Sequence, residues 1–227
     1  MSQFFDSSPA QRQGSGPKPG PWRRDLPRTW QAALGLPDAP GETGTPAGMH
    51  SLGPDHGTLS LRTGRTGAAA KAGHDLLIHV TSWGATLVVG EDAAGSSLSL
   101  DIDGGSLRVI EGTGGMKPLG DSEKADISQT IDDEILKRQP ITFRSTQVRP
   151  AADGGGLSVE GDLTLLGVTR PLAFDVAVGD GGALSAVAVV KQSDWGITPY
   201  STLFGALKVV DEVTVEIDVR PPSAGVG

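Results

Sequence analysis

Cysteine is absent from the 227-residue chain. No disulfide framework, thiolate metal site or cysteine-linked lipid anchor is therefore available to it. No apolar run reaches the 18 or so residues that a membrane-crossing helix needs. The opening MSQFFD leads into polar, Pro-rich sequence with no apolar signal core, and Arg23-Arg24 is followed by Asp-Leu-Pro instead of a hydrophobic run. Neither a general nor a twin-arginine export signal is legible, and a cytoplasmic location is expected. Aromatic residues are scarce, at 4% of the chain with a single Tyr and four Trp. Basic residues form no cluster beyond the first thirty positions, and the net charge is −8 with a pI near 4.9. That balance argues against nucleic-acid binding and against electrostatic docking on anionic lipid.

The motifs of common catalytic sites are also missing. There is no Gly-x-Ser-x-Gly elbow and no cysteine nucleophile. Gly112-Thr-Gly-Gly115 lacks the Walker spacing. His74 and Asp75 are neighbours that alternate across a strand, so they cannot act as a base and its orienter. His74 and His79 are five apart and point to opposite faces, which rules against a shared metal. No catalytic residue, metal site or cofactor is expected, and the chain is read as a non-enzyme.

What is present is alternation. Val213, Val215, Ile217 and Val219 share one parity, while Thr214, Glu216, Asp218 and Arg220 share the other. This is the period of a strand with one apolar and one wet face. The pattern recurs in Leu157 to Leu165, in Leu172 to Val178 after Pro171, in Leu98 to Ile102, in Ile141 and Phe143, and in Leu59 and Leu61. Gly-rich turns at 103–105, 153–156 and 179–182 fit antiparallel connections, since a parallel sheet would need long helical crossovers. One segment differs. Residues 122–138 carry Ile127, Ile131 and Leu136 among charged residues, and predict a short helix capped by Asp121 or Ser122 and ended before Pro140. A helix so placed is expected to plug or lid one end of a barrel.

The expected fold is all-β, an antiparallel barrel that closes to remove its edges, with one short helix. Residues 58–220 form this domain and 221–227 a short tail. Residues 1–57, rich in Pro and poor in β-branched residues, are expected to be a mainly disordered extension.

Four segments, in order, resemble the YceI-like family: GHDLLIHV at 73–80, ILKRQPITFRS at 135–145, VEGDLTLLGVTRPL at 159–172, and KQSDWGITPYSTLFGALKVVDEVTVEIDV at 191–219. The resemblance covers about 57–220. It implies a lipocalin-like barrel whose lumen takes a long apolar molecule such as a polyisoprenoid, an isoprenoid quinone or a fatty acyl lipid. Two departures stand out. Many relatives carry a secretion signal where this chain has its long extension, and many carry Arg where Gln192 stands.

On this reading the ligand lies along Leu76, Ile78, Phe143, Leu163, Leu165 and Phe174. His74 shares their parity near one mouth, and Gln192 borders the head group. Trp195, Tyr200 and Phe204 form a gate on the loop bent by Gly196, Pro199 and Gly205, with core packing as the plainer role for these aromatics. The island around Trp22, Arg23, Arg24 and Trp30 holds the residue types that anchor interfaces. Residues 21–35 are accordingly read as a docking motif for a protein partner or as a lid, and a homodimer is left open. An interaction module with a filled lumen is the rival reading, and a small lumen-based enzyme working through His74 is a third.

Overall fold

The computed structural model describes residues 47–152 and 156–221. Twelve strands run in one antiparallel sheet: β1 (Gly48–Leu52), β2 (Gly57–Thr66), β3 (Asp75–Val80), β4 (Trp83–Val89), β5 (Ser97–Ile102), β6 (Leu107–Thr113), β7 (Ile141–Pro150), β8 (Gly156–Leu165), β9 (Val168–Val178), β10 (Leu184–Lys191), β11 (Ser201–Thr202) and β12 (Leu207–Val219). Along the hydrogen bonds the order is β1-β4-β5-β7-β8-β9-β10-β12-β2-β3-β6, with β11 added to β12. The expectation of an all-β antiparallel barrel with one helix is met.

Curvature comes from one long bent hairpin. β3 and β4 are consecutive stretches of one chain direction, and they pair in turn with β6 and β5. At the bend, Thr81 N donates to Ser106 O (2.9 Å) and Asp103 N to Ser82 O (3.1 Å). The β4/β5 half joins the sheet through β7, whereas the β3/β6 half joins it through β2. The ends of the sheet thus meet in a single hairpin, and the longer strands turn one apolar parity inward. Leu59, Ile78, Phe143, Leu163, Phe174 and Val190 are all buried in one core.

Along β6 this arrangement leaves an edge with no strand beside it, and helix α1 (Asp121–Thr130) covers it. Its start differs from the expected cap. Gly120 is the cap residue, and the Glu123 carboxylate reaches back to accept from Gly120 N at 2.9 Å. A wider π turn, Ile131–Ile135, continues the helix. Ser128 fastens it by accepting from the buried Val109 N (2.9 Å) while donating to Lys124 O (2.8 Å). Asp132, buried at 2% exposure, takes Arg108 Nη1 at 2.7 Å. The side chain of Ser128 therefore stands in for the missing strand's carbonyl.

One further expectation needs correction. Residues 48–52, assigned to the disordered extension, form β1, which pairs with β4 from Gly48↔Val89 to Leu52↔Ala85. Only Leu52 of this strand is buried, so its alternation is nearly invisible in sequence. The remainder of the extension, up to residue 46, lies outside the described residues and with it Trp22, Arg23, Arg24 and Trp30. The strand whose alternation is legible from Leu172 onward begins earlier, at Val168, so Pro171 sits inside β9 opposite Asp162. β10 pairs with β9 only at Val176 to Val178, so the edge of β9 at Pro171 needs no donor.

Ser128→Ala leaves the buried Val109 amide unpaired and is expected to cost about 2 kcal/mol. Denaturant melts measure the loss, and native-state hydrogen exchange should show residues 121–135 opening before the strands; unchanged stability would exclude the latch role given to Ser128.

Candidate functional site

A cavity of about 600 Å³ occupies the barrel interior. Its walls come from the inward parity of β2, β3, β5, β7, β8, β9, β10 and β12, and from the helical turns at Ile127, Ile131 and Ile135. Leu76, Ile78, Phe143, Leu163, Leu165 and Phe174 all line it, as strand parity required. Phe143 and Phe174 meet with ring centroids 5.4 Å apart, tilted by 51°. Beyond Phe174, Leu59, Leu98, Leu100 and Ile217 lies a second, smaller void of about 80 Å³, bordered by Trp83, Leu87, Val148 and Leu157. The five residues shared by the two spaces form a floor between them.

Polar groups gather at the opposite end, where β2 finishes and β3 and β12 begin. Thr63, Arg65, His74, Tyr200, Thr202 and Lys208 border the cavity there, and α1 adds Asp126 and Thr130. His74 lies at this mouth, but its ring is already engaged. Nε2 lies 2.8 Å from Lys117 O, and because a carbonyl can only accept, Nε2 carries the proton. Arg65 is held by Asp75 Oδ2 (3.0 Å) and donates to Thr113 O (2.9 Å).

Gln192 lies on the cavity wall and donates through Nε2 to Val210 O at 3.0 Å. That carbonyl is available because β12 bulges. Arg65 pairs with Val209 and Thr63 with Val213, so Gly64 faces Val210, Asp211 and Glu212 together. The bulge also aims Asp211, which accepts from Ser193 N (2.8 Å) and Ser193 Oγ (2.6 Å). Those two donors hold the Asp211 carboxyl below the usual carboxylate range.

Two residues of the expected gate lie elsewhere. Trp195 is buried at 4% exposure and its Nε1 donates to Leu163 O at 3.1 Å. It sits on a short helical turn, Gln192–Trp195, beside the slit where β10 parts from β9, with Arg170 of β9 donating to Asp194 O. It is therefore packed behind the strands and neither gates nor lines the cavity. Phe204 is fully exposed and does not line the cavity. The third, Tyr200, does border the mouth. Strand parity could not find Asp126 and Thr130, which are polar positions on the helix, and the π turn shifts the spacing that would have pointed to Ile135.

Residues 52–220 match the YceI-like domain. The chain belongs to the YceI-like family. No curated protein is significantly similar to it in sequence. Among solved structures it is similar to BcnA of Burkholderia cenocepacia, with 19% identity and a TM-score of 0.50 over 71% of this chain and 94% of that one. It is also similar to a polyisoprenoid binding domain from Saccharophagus degradans, with 10% identity and a TM-score of 0.45 over 78% of this chain and all (100%) of that one. A YceI protein of Campylobacter jejuni gives 19% identity and a TM-score of 0.43 over 64% and 84% of the two chains. At such identities the likeness to BcnA is one of fold. Among the described residues of this YceI-like chain, no helix is long and apolar enough to cross a membrane.

The Asp211 clamp makes the Gln192–Trp195 turn acid-sensitive. Its carboxyl pKa is lowered by folding, so its stabilising contribution is complete above the ordinary carboxylate value and declines as pH falls through the lowered one. The Trp195 indole N–H resonance should shift as the sample is acidified through that window, and Asp211→Asn should abolish the pH-dependent step. A shift that persists in the variant would assign the effect to another group.

Proposed function

We propose that this protein binds and carries an elongated apolar molecule, of isoprenoid or fatty acyl type, with its chain in the barrel cavity and its polar end at the mouth. The observation that carries the reading is the division of the cavity wall. Its depth is made of alkyl and phenyl side chains, and its polar residues are confined to one end. A small polar substrate would leave its own hydrogen-bonding groups unpaired against Leu163, Leu165 and Ile141. An apolar chain gains about 0.8 kcal/mol for each methylene moved out of water.

The size fits a chain of limited length. A methylene takes up about as much room as a water molecule, roughly 30 Å³. A cavity of 600 Å³ then holds on the order of 20 carbons. Longer chains would extend through the mouth or need the floor at Phe174 to yield. Binding of this kind requires no catalyst, and His74 is already committed to Lys117 O. The rival reading, a partner-docking role for residues 21–35, concerns positions outside the described residues.

Native mass spectrometry of the full-length protein purified without detergent, followed by extraction, tests the proposal. A released species of several hundred daltons supports it; an empty barrel that also refuses added long-chain isoprenoids and fatty acyl lipids overturns it.

Two variants probe the geometry. Ala188→Phe projects into the cavity and displaces two or three methylenes, so ligand affinity should fall about fifteen- to sixtyfold with the melting temperature preserved. Phe174→Leu thins the floor above the 80 Å³ void and should shift preference toward longer chains in a competition series. An unchanged length profile would mean that the two spaces are not in series.

A further inference from the structure

Two loops beside the cavity mouth carry large apolar side chains that nothing in the described fold covers. The first is the tip of the β11–β12 hairpin. Tyr200 and Thr202 border the cavity on one side of this tip and Leu207 and Lys208 on the other, while the tip itself presents Leu203, half exposed, and Phe204, fully exposed. The second is the loop after β6. Its Met116, 84% exposed, follows Gly115, which lies so close to the His74 ring that a Cβ there would be 2.4 Å from Nε2. Because His74 also borders the cavity, both loops belong to the same rim.

The hairpin tip holds its side chains outward against local preference. Leu203 and Phe204 take φ values of 51° and 53°, consecutive positions in the left-handed region that Gly or Asn would adopt with less strain. The hairpin is firmly anchored nevertheless, by the pairs Ser201↔Lys208 and Thr202↔Leu207 and by Val209 N donating to Tyr200 O at 2.9 Å. A rigid base therefore displays two apolar side chains that make no core contact.

Charge and shape decide what can cover them. Two of the rim's cations are compensated, Lys117 by Glu123 at 2.7 Å and Arg65 by Asp75 at 3.0 Å. Among the described residues Lys208 is left as the cation bordering the cavity without an ion pair, so a single exposed charge gives the rim little attraction to an anionic surface. The apolar side chains stand on separate loops around an opening and form no continuous face of the kind a protein partner packs against. A partner protein seated there would also stopper the cavity. A bilayer requires no matched surface, and isolated apolar tips sink into its acyl boundary. We infer that this rim docks on neutral phospholipid bilayers, with Leu203, Phe204 and Met116 inserted, so that the cavity mouth opens directly against the acyl chains. The inference rests on the reading of the cavity as a lipid site, and it gives the ligand a path that avoids water.

The test uses the full-length protein with phosphatidylcholine vesicles and a fluorescent long-chain isoprenoid. Two quantities are read, co-flotation of protein with vesicles and the rate at which the probe passes from vesicle to protein. Wild type should float, and Phe204→Ser, which disturbs no packed contact, should float at least about tenfold less, as expected when one aromatic side chain is withdrawn from an apolar phase. Transfer from vesicles should slow in parallel, while affinity for the probe delivered from detergent stays at the wild-type value. Leu203→Ser and Met116→Ser serve as independent checks should one variant misfold. Failure of wild type to float, or equal transfer rates for wild type and variants, overturns the docking inference. So does a contact at Phe204 that depends on protein concentration instead of vesicles, which would mark a second copy or another protein as the occupant. Loss of detergent-delivered probe binding by wild type would instead overturn the carrier reading, and flotation alone would then judge the rim.

Discussion

The structure depends on how the seam beside β6 is closed. The sheet runs from β1 to β6, each with one edge that no strand pairs, and at β6 that edge lies beneath the helix. Ser128 meets part of that edge's need from the helix by accepting from Val109 N, and Asp132 ties the following turn to the same strand by pairing with the Arg108 side chain. Without that cover, water would reach the lumen from the side and the apolar cavity would lose the enclosure that makes it a binding site.

The slit between β9 and β10 has a parallel solution. The two strands pair over only a few residues, and the remainder is filled by Trp195 and Ile197, held from behind by the bulge of β12 through Gln192 and Ser193. Strand ladders, helix and plug thus contribute to a single enclosure. The bulge has a dual effect, since the three residues opposite Gly64 both curve the wall and turn Asp211 toward Ser193. Acid sensitivity at that point is a by-product of the curvature.

How much of this was legible in sequence varied with the burial of each strand. β8, β9 and the second half of β12 place apolar residues inward and polar ones outward, so their alternation named the lumen residues directly. β10 obeys the same alternation in space, with Leu184, Ala186, Ala188 and Val190 inward, but Val187 and Val189 face solvent and hide the period. β1 contains a single buried residue and gave no signal at all. Trp195 and Phe204 were indistinguishable as aromatics in one loop, because nothing local states that the first fills a gap between strands and the second faces solvent. The helix was visible through its charged composition, whereas its π turn, and hence the faces of Ile131 and Ile135, was not.

The placement of that helix has a consequence for how such a protein can diverge. Strand residues in the lumen are tied to register: a change at Leu163 or Phe174 acts on cross-strand neighbours as well as on the cavity. Ile127, Thr130, Ile131 and Ile135 border the same cavity from an element joined to the sheet by a few side-chain bonds, outside any ladder. Mutations on that face can reshape the ligand space while the pairing of the twelve strands is left untouched. New ligand preferences can therefore arise on a conserved barrel by drift in one helical turn.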